Sequence, residues 1–242
     1  MTPELIIACD VEDDTALDFL VAVTHDIPGV KGYKLGATMA VHYGLKYLTS
    51  IVFNHCGDKV LMYDHQKAGT DTPHTAEKFM KSCRRSAVDS VILFPMAGPE
   101  TEVAWIRAAR EEGLVPIVGG VMSHDKYLYD EGGFITRYWE MYRIAGDEGV
   151  TEFVAPATRI STAAIFKQFG GQGIKFYTPG VGKQGGQIQH LKLWSIFSDA
   201  QIIPIIGTSI YASSDPQAAT KYFLQEMEQD KNVDVPETGT ST

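Results

Sequence analysis

Cysteine is scarce in this chain. Cys9, Cys56 and Cys83 are the three among 242 residues, an odd number without metal-type spacing. Such usage excludes a disulfide framework or a cysteine metal knuckle, and fits a reducing compartment with thiols as small packing groups. Cys9 precedes Asp10 directly, and a neighbouring carboxylate disfavours a reactive thiolate there. Positive charge is also short: 21 Lys and Arg stand against 30 Asp and Glu, for a net charge of −9. No basic stripe is visible, so nucleic acid is not an expected partner, and an anionic ligand would have to be held by a local site. No apolar run approaches the roughly 20 residues of a membrane span. Met1-Thr2-Pro3-Glu4 carries no charged region followed by an apolar one, so no signal peptide is expected. A soluble, cytoplasmic protein is the expectation. There is no internal linker and no repeat beyond the one described next.

The chain does contain short apolar runs at regular intervals. Continuous apolarity suits strands buried on both faces, as in parallel sheets. Strands are expected at 5–10, 30–36, 59–64, 90–95, 114–119, 151–156, 174–179 and 201–207, although Pro204 argues against an ideal central strand in the last. Helical stretches separate them: from Asp13 and Asp14, from Ala37 to Asn54, from Thr75 to Ala87, from Pro99 to Glu112, from Ile135 to Glu148, from Ser161 to Phe169, and from Asp215 to Gln229. Pro99 at a helix start and Gly113 just beyond its end are placed as helix chemistry asks. Alternating β and α units imply a parallel sheet, and eight of them in one chain of this length imply a closed (β/α)8 TIM barrel. The barrel is expected as a single domain over residues 1–229, with 230–242 a disordered polar tail.

Barrel active sites lie at the C-terminal strand ends. There the first three strands offer Asp10, Lys34 and Asp64, with Lys67 and Asp71 following in Asp64-His65-Gln66-Lys67-Ala68-Gly69-Thr70-Asp71. Any one of these alone reads equally well as a rim ion pair of little energetic weight. Together, at three consecutive strand ends, they form a candidate charge cluster. A second cluster is Pro179-Gly180-Val181-Gly182-Lys183-Gln184-Gly185-Gly186, followed after the eighth strand by Gly207-Thr208-Ser209. The loops after strands seven and eight are the usual phosphate cradle of this fold, though a lone glycine-rich run is also an ordinary flexible loop.

Taken in order, these motifs resemble the orotidine 5'-monophosphate decarboxylase family. The matching pieces are Ala8-Cys9-Asp10, Tyr33-Lys34-Leu35-Gly36, Asp64 through Lys67 to Asp71-Thr72-Pro73-His74-Thr75, Met122-Ser123-His124, the glycine loop, and Gly207-Thr208-Ser209-Ile210-Tyr211. The resemblance implies a cofactor-free and metal-free barrel that decarboxylates a nucleotide in pyrimidine biosynthesis and works as a homodimer with shared sites. It assigns the ribose hydroxyls to Asp10 and Lys34, the substrate carboxylate to Asp64, and proton donation to Lys67. It sends Asp71, Thr72 and Thr75 into the partner's site, puts Ser123 at the pyrimidine edge, and has Gln184 bridge phosphate and base. Pro179, Gly182 and Gly185 belong to the substrate-binding loop, and the backbone of Gly207 and Thr208 to the phosphate.

Two departures stand out. The family spacing Asp-x-Lys-x-x-Asp is one residue longer in each gap here, so the chain must turn between Asp64 and Lys67 for both to face one site. Thr208 stands where the family carries an arginine. Either another cation, Lys183 or Arg159, compensates, or phosphate is held more weakly. These departures keep open an alternative, a non-catalytic or altered-specificity barrel binding a nucleotide or sugar phosphate. A magnesium-dependent relative would want an acid where Lys34 stands, and a Schiff-base enzyme would want a lysine remote from acids. The lid is expected either at 125–134 or in the loop after Pro179.

Overall fold

In the computed structural model, residues 2–65, 68–159, 162, 165, 166, 173–182, 185–188, 191 and 200–231 are described. Eight parallel strands close a barrel in sequence order: β1 (Leu5–Ala8), β2 (Val30–Gly36), β3 (Val60–Asp64), β4 (Ser90–Leu93), β5 (Val115–Gly119), β6 (Glu152–Val154), β7 (Lys175–Pro179) and β8 (Gln201–Ile206). The described helices are α1 (Asp14–Thr24), α2 (Ala37–Tyr43), α3 (Leu45–Phe53), α4 (Ala76–Arg85), α5 (Pro99–Glu111), α6 (Tyr138–Asp147), α7 (Thr208–Tyr211) and α8 (Pro216–Lys231). The (β/α)8 expectation is met strand by strand.

Side-chain alternation along the strands divides the apolar residues into two layers. Ile6, Ala8, Met62, Ile92, Phe94, Ile117, Val154, Tyr177, Ile203 and Ile205 fill the barrel interior. Their neighbours Leu5, Ile7, Cys9, Leu61, Tyr63 and Val91 point outward and pack beneath the helices. Both faces are buried, which is why the strands read as continuous apolar runs. Pro204 lies inside β8, opposite Thr178 of β7, so the expected penalty at that position did not displace the strand.

Several boundaries differ from the sequence reading. The single helix expected from Ala37 to Asn54 is two helices, broken at Gly44, whose φ of 82° ends α2 and whose ψ of 131° starts α3 in a new direction. The helix before β4 is entered through a 3-10 turn at Pro73–Thr75, so α4 begins at Ala76. α6 begins at Tyr138, not Ile135. α8 continues to Lys231. The tail from 232 to 242 and most of the helix expected from Ser161 to Phe169 lie outside the described residues.

Two glycines of β2 serve its packing. A Cβ at Gly32 would fall 2.0 Å from the Val60 carbonyl oxygen of β3. A Cβ at Gly36 would fall 2.1 Å from Oδ1 of Asp10. The second absence leaves the room that the Asp10 carboxylate occupies.

On α5, Glu102 is 2% exposed, and among the described residues its Oε1 has no hydrogen-bond partner. Burial pushes its carboxyl pKa up to about 8, against a smaller opposing effect of Arg143. A raised acid pKa favours the fold fully below the unfolded value, near 4.5, and that contribution is lost as pH rises through about 8. Glu102→Gln, neutral at every pH, is therefore expected to match the parent near pH 4. Above pH 8 it is expected to exceed the parent by roughly 3–5 kcal/mol, since each tenfold change in acidity is worth about 1.4 kcal/mol. Urea denaturation across this range checks it; a pH-independent difference would mean that Glu102 is not neutral when buried.

Candidate active site

Strand register places the charges. Ala8 of β1, Lys34 of β2 and Met62 of β3 are register partners, so their inward side chains lie in one layer of the barrel. Asp10 and Asp64 stand two residues beyond Ala8 and Met62, on the same inward face and one layer nearer the C-terminal mouth. Lys34 is the charged side chain among these three, and it reaches up to both acids. Its Nζ donates to Asp64 Oδ2 at 2.5 Å and to Asp10 Oδ2 at 3.2 Å. Lys34 and Asp64 are 7% and 5% exposed, whereas half of the Asp10 side chain faces solvent.

Burial alone would lower the Lys34 pKa, because an ammonium is stabilised by water. Attraction to Asp64, then to Asp10, together with both hydrogen bonds, outweighs this, and the pKa is raised. Lys34 is thus a fixed cation. Cys9 beside it is fully buried, and its pKa is raised by that burial and by Asp10, which excludes the thiolate weighed from sequence.

These three residues line one wall of a cavity of about 360 Å³ at the C-terminal mouth. Ile92, Phe94, Met122, Val154 and Ile205 give it an apolar floor and side. Ser123 and His124 enter from the loop after β5, Pro179 from the end of β7, and Gly180 and Val181 from the loop after it. Gly207, Thr208, Ser209 and Tyr211 close the far side. The cavity therefore runs from a charged wall, over an apolar floor, to a rim of hydroxyls and backbone.

The rim differs in detail from the sequence reading. The N–H groups of Gly182, Gly185 and Gly186 donate to Gly186, Gly182 and Gly180 carbonyls of their own loop, so these three do not cradle an anion. Gly182, at φ +89°, instead permits close packing, since a Cβ there would fall 2.2 Å from Ser209 Oγ. Gly182 and Gly185 thus shape the loop without lining the cavity, while Gly180 and Val181 line it. Arg159, one of two suggested replacements for the missing arginine, is otherwise engaged. Its guanidinium pairs with Glu131 and donates to the His124 carbonyl. Lys183, the other, lies outside the described residues, as do Gln184 and Lys67. What the structure adds at Thr208 is a hydroxyl pair, Thr208 Oγ1 lying 3.1 Å from the Tyr211 hydroxyl.

Of the turn expected between Asp64 and Lys67, Gln66 and Lys67 lie outside the described residues. Ala68 N donates to the His65 carbonyl at 2.5 Å, closing a turn directly after β3. The chain then leaves the mouth. Asp71 and Thr72 line a separate, shallower depression with Thr70, Pro73 and the start of α5. Thr75 donates its hydroxyl to the Thr72 carbonyl at 2.8 Å and does not line the main cavity. Within this chain, then, Asp10, Lys34, Asp64, Ser123, Pro179, Gly207 and Thr208 come together, and Asp71, Thr72 and Thr75 stand apart.

The model of the orotidine 5'-phosphate decarboxylase / HUMPS family matches residues 3–223. The chain belongs to this family. Among its decarboxylase relatives, the orotidine 5'-phosphate decarboxylase of Methanosphaera stadtmanae is 26% identical over 226 residues, spanning 92% of this chain and 96% of the relative. That of Methanocaldococcus jannaschii is 27% identical over 224 residues, spanning 92% and 98%. A crystal structure of the Methanocaldococcus jannaschii orotidine 5'-monophosphate decarboxylase, complexed with inhibitor BMP, superposes with a TM-score of 0.76 at 25% identity, covering 94% of this chain and 99% of that one.

Sequence reasoning assigned no role to Phe94, His124 or Tyr211, all of which line the cavity. A signal existed for the first: Phe94 follows β4, so its place near a strand end already put it at the mouth. Tyr211 lay within a quoted motif, but only the one turn of α7 brings it back over the cavity.

A buried ion pair loses most when one partner goes, because the other is left as an uncompensated buried charge. Lys34→Met is expected to lower stability near pH 7 by about 3–5 kcal/mol. Lys34→Met with Asp64→Asn is expected to recover much of that loss. Denaturant unfolding of both variants and of Asp64→Asn alone makes the comparison; strict additivity would contradict a mutually dependent pair.

Proposed function

We propose that this chain converts orotidine 5'-monophosphate to uridine 5'-monophosphate and carbon dioxide without a cofactor, in pyrimidine biosynthesis. The observation that carries the proposal is the Lys34 ammonium held between Asp10 and Asp64 at the mouth of a barrel of this family. Asp10 and Lys34 bind the ribose hydroxyls in this reading, and Ser123 meets the pyrimidine edge. The apolar floor of Ile92, Phe94 and Met122 suits the flat ring face. The phosphate lies across the cavity by Gly207 and Thr208, with Gln184 bridging it to the base.

Asp64 stands against the departing carboxylate. The bond from ring carbon 6 to that carboxylate breaks heterolytically: carbon dioxide leaves, and the electron pair stays on carbon 6 in an orbital the ring cannot delocalise. Lys67 stabilises this charge as it forms and then gives carbon 6 a proton, becoming neutral until water reprotonates it. Stabilisation that exists before the reaction begins needs no reorganisation at the transition state. A fixed Lys34 supports it by holding Asp64 in one position. Binding energy from the phosphate, remote from carbon 6, is drawn on at the reacting centre.

The donor set favours this reading over a magnesium-assisted one. Both inward carboxylates are already paired to one ammonium, which a divalent cation would have to displace. The reading also includes a homodimer. Asp71, Thr72 and Thr75 lie outside their own subunit's cavity, where they would serve a neighbour's.

Purified protein with orotidine 5'-monophosphate is expected to show loss of the orotate-type absorbance. Lys67→Ala is expected to lower kcat at least about 10³-fold, the scale of losing a pre-organised charge and a proton donor together. Chelator is expected to leave the rate unchanged. Turnover surviving in Lys67→Ala would refute the role of Lys67, and inhibition by chelator would restore the metal reading.

A further inference from the structure

The segment that leaves the mouth after β3 is held by donors from the β4–α5 region. Phe94 N donates to the Ala68 carbonyl at 3.0 Å, and Ala97 N to the Gly69 carbonyl at 3.2 Å. Thr101 Oγ1 donates to the Asp71 carbonyl at 3.0 Å, and Trp105 Nε1 to the Thr72 carbonyl at 3.3 Å. Gly69, at φ +86°, lets the chain pass so close that a Cβ would fall 2.8 Å from Pro95 Cα.

Thr101 and Trp105 are four residues apart on α5 and so share one helix face. They are 4% and 3% exposed, while Asp71 and Thr72 are exposed. Buried positions of this size are filled equally well by valine and phenylalanine. What threonine and tryptophan add is one donor each, and both donors meet consecutive carbonyls of the exposed segment. The Trp105 ring is also anchored from the other side, 4.9 Å from Phe79, which stands 5.1 Å from His65 at the start of the turn.

We propose that Thr101 and Trp105 are positioning residues: they fix the backbone at Asp71 and Thr72 and so set how those side chains reach the active site of the partner subunit. This rests on the shared-site reading above. It goes beyond that reading by naming residues that touch neither substrate nor the reacting atoms. Reaction rates respond steeply to placement, with a misplacement of about 1 Å costing about 10²-fold. A segment pinned by four hydrogen bonds to the β4–α5 loop and α5 has little freedom to make that error.

The test uses the full chain. Thr101→Val removes the donor at nearly constant volume, and Thr101→Ser keeps it. Thr101→Val is expected to lower turnover of orotidine 5'-monophosphate about tenfold or more, Thr101→Ser to stay within about threefold, and Trp105→Phe to behave like Thr101→Val. The deciding readout is mixing. A Thr101→Val chain has a sound Lys67 but a displaced Asp71, and a Lys67→Ala chain has the reverse. Their heterodimer then contains one complete site, so a random one-to-one mixture should reach about a quarter of parental activity, given a two-fold dimer.

A control mixture of Asp71→Ala with Lys67→Ala should recover in the same way. If the control recovers and the Thr101→Val mixture does not, Thr101 acts on its own subunit or on folding, and the inference is overturned. Turnover of Thr101→Val within about twofold of the parent overturns it as well. If the control itself fails to recover, the shared-site reading falls and takes this inference with it.

Discussion

One ammonium between two carboxylates governs the mouth of this barrel. Lys34 is buried, and a lone buried cation of this kind would lose its proton or open the fold. Asp64 at 2.5 Å and Asp10 at 3.2 Å prevent both. The pairing adds little net stability, because desolvation of three charges offsets most of their attraction. Its consequence is positional. Asp64 is held in one place, Asp10 keeps a solvent-facing edge, and the cavity gains a charged wall before any ligand arrives.

The remainder of the structure makes that arrangement possible. Parallel register puts Lys34 level with Ala8 and Met62, both apolar, and puts the two acids one inward step higher. Gly36, lacking a side chain, leaves the space that the Asp10 carboxylate fills. Below, Ile6, Ile117 and Ile203 fill the barrel interior with apolar side chains. Across the cavity, the loops after β7 and β8 interlock through Gly182 and Ser209, so the opposite rim has a fixed distance from the charged wall.

Much of this was legible in the chain itself. The strands were, because burial on both faces leaves continuous apolar runs that no other element of this length resembles. The charge cluster was, because strand ends in a barrel all face one mouth. Gly44 was not legible as a helix break, since good helix formers flank it and only its φ of 82° separates α2 from α3. The glycine loop suggested an anion cradle, yet three of its N–H groups bond within the loop, a choice of hydrogen-bond partner that composition does not reveal. Thr101 and Trp105 carried no sequence signal. Their partners Asp71 and Thr72 lie about 30 residues away, and each looks like an ordinary residue of an amphipathic helix. Arg159 was read as a cation in reserve; its pairing with Glu131 is a tertiary contact between two loops.

The proposed chemistry takes Lys34 and its two acids as the ribose and reaction end of the cavity, and it depends on that polarity. A crystal structure with uridine 5'-monophosphate bound tests it. Ribose hydroxyls are expected within about 3 Å of Asp10 and Lys34, the pyrimidine over Phe94 and Met122, and the phosphate at Gly207 and Thr208. A nucleotide bound in the reverse sense, with its phosphate at Lys34, or bound outside this cavity, would contradict it.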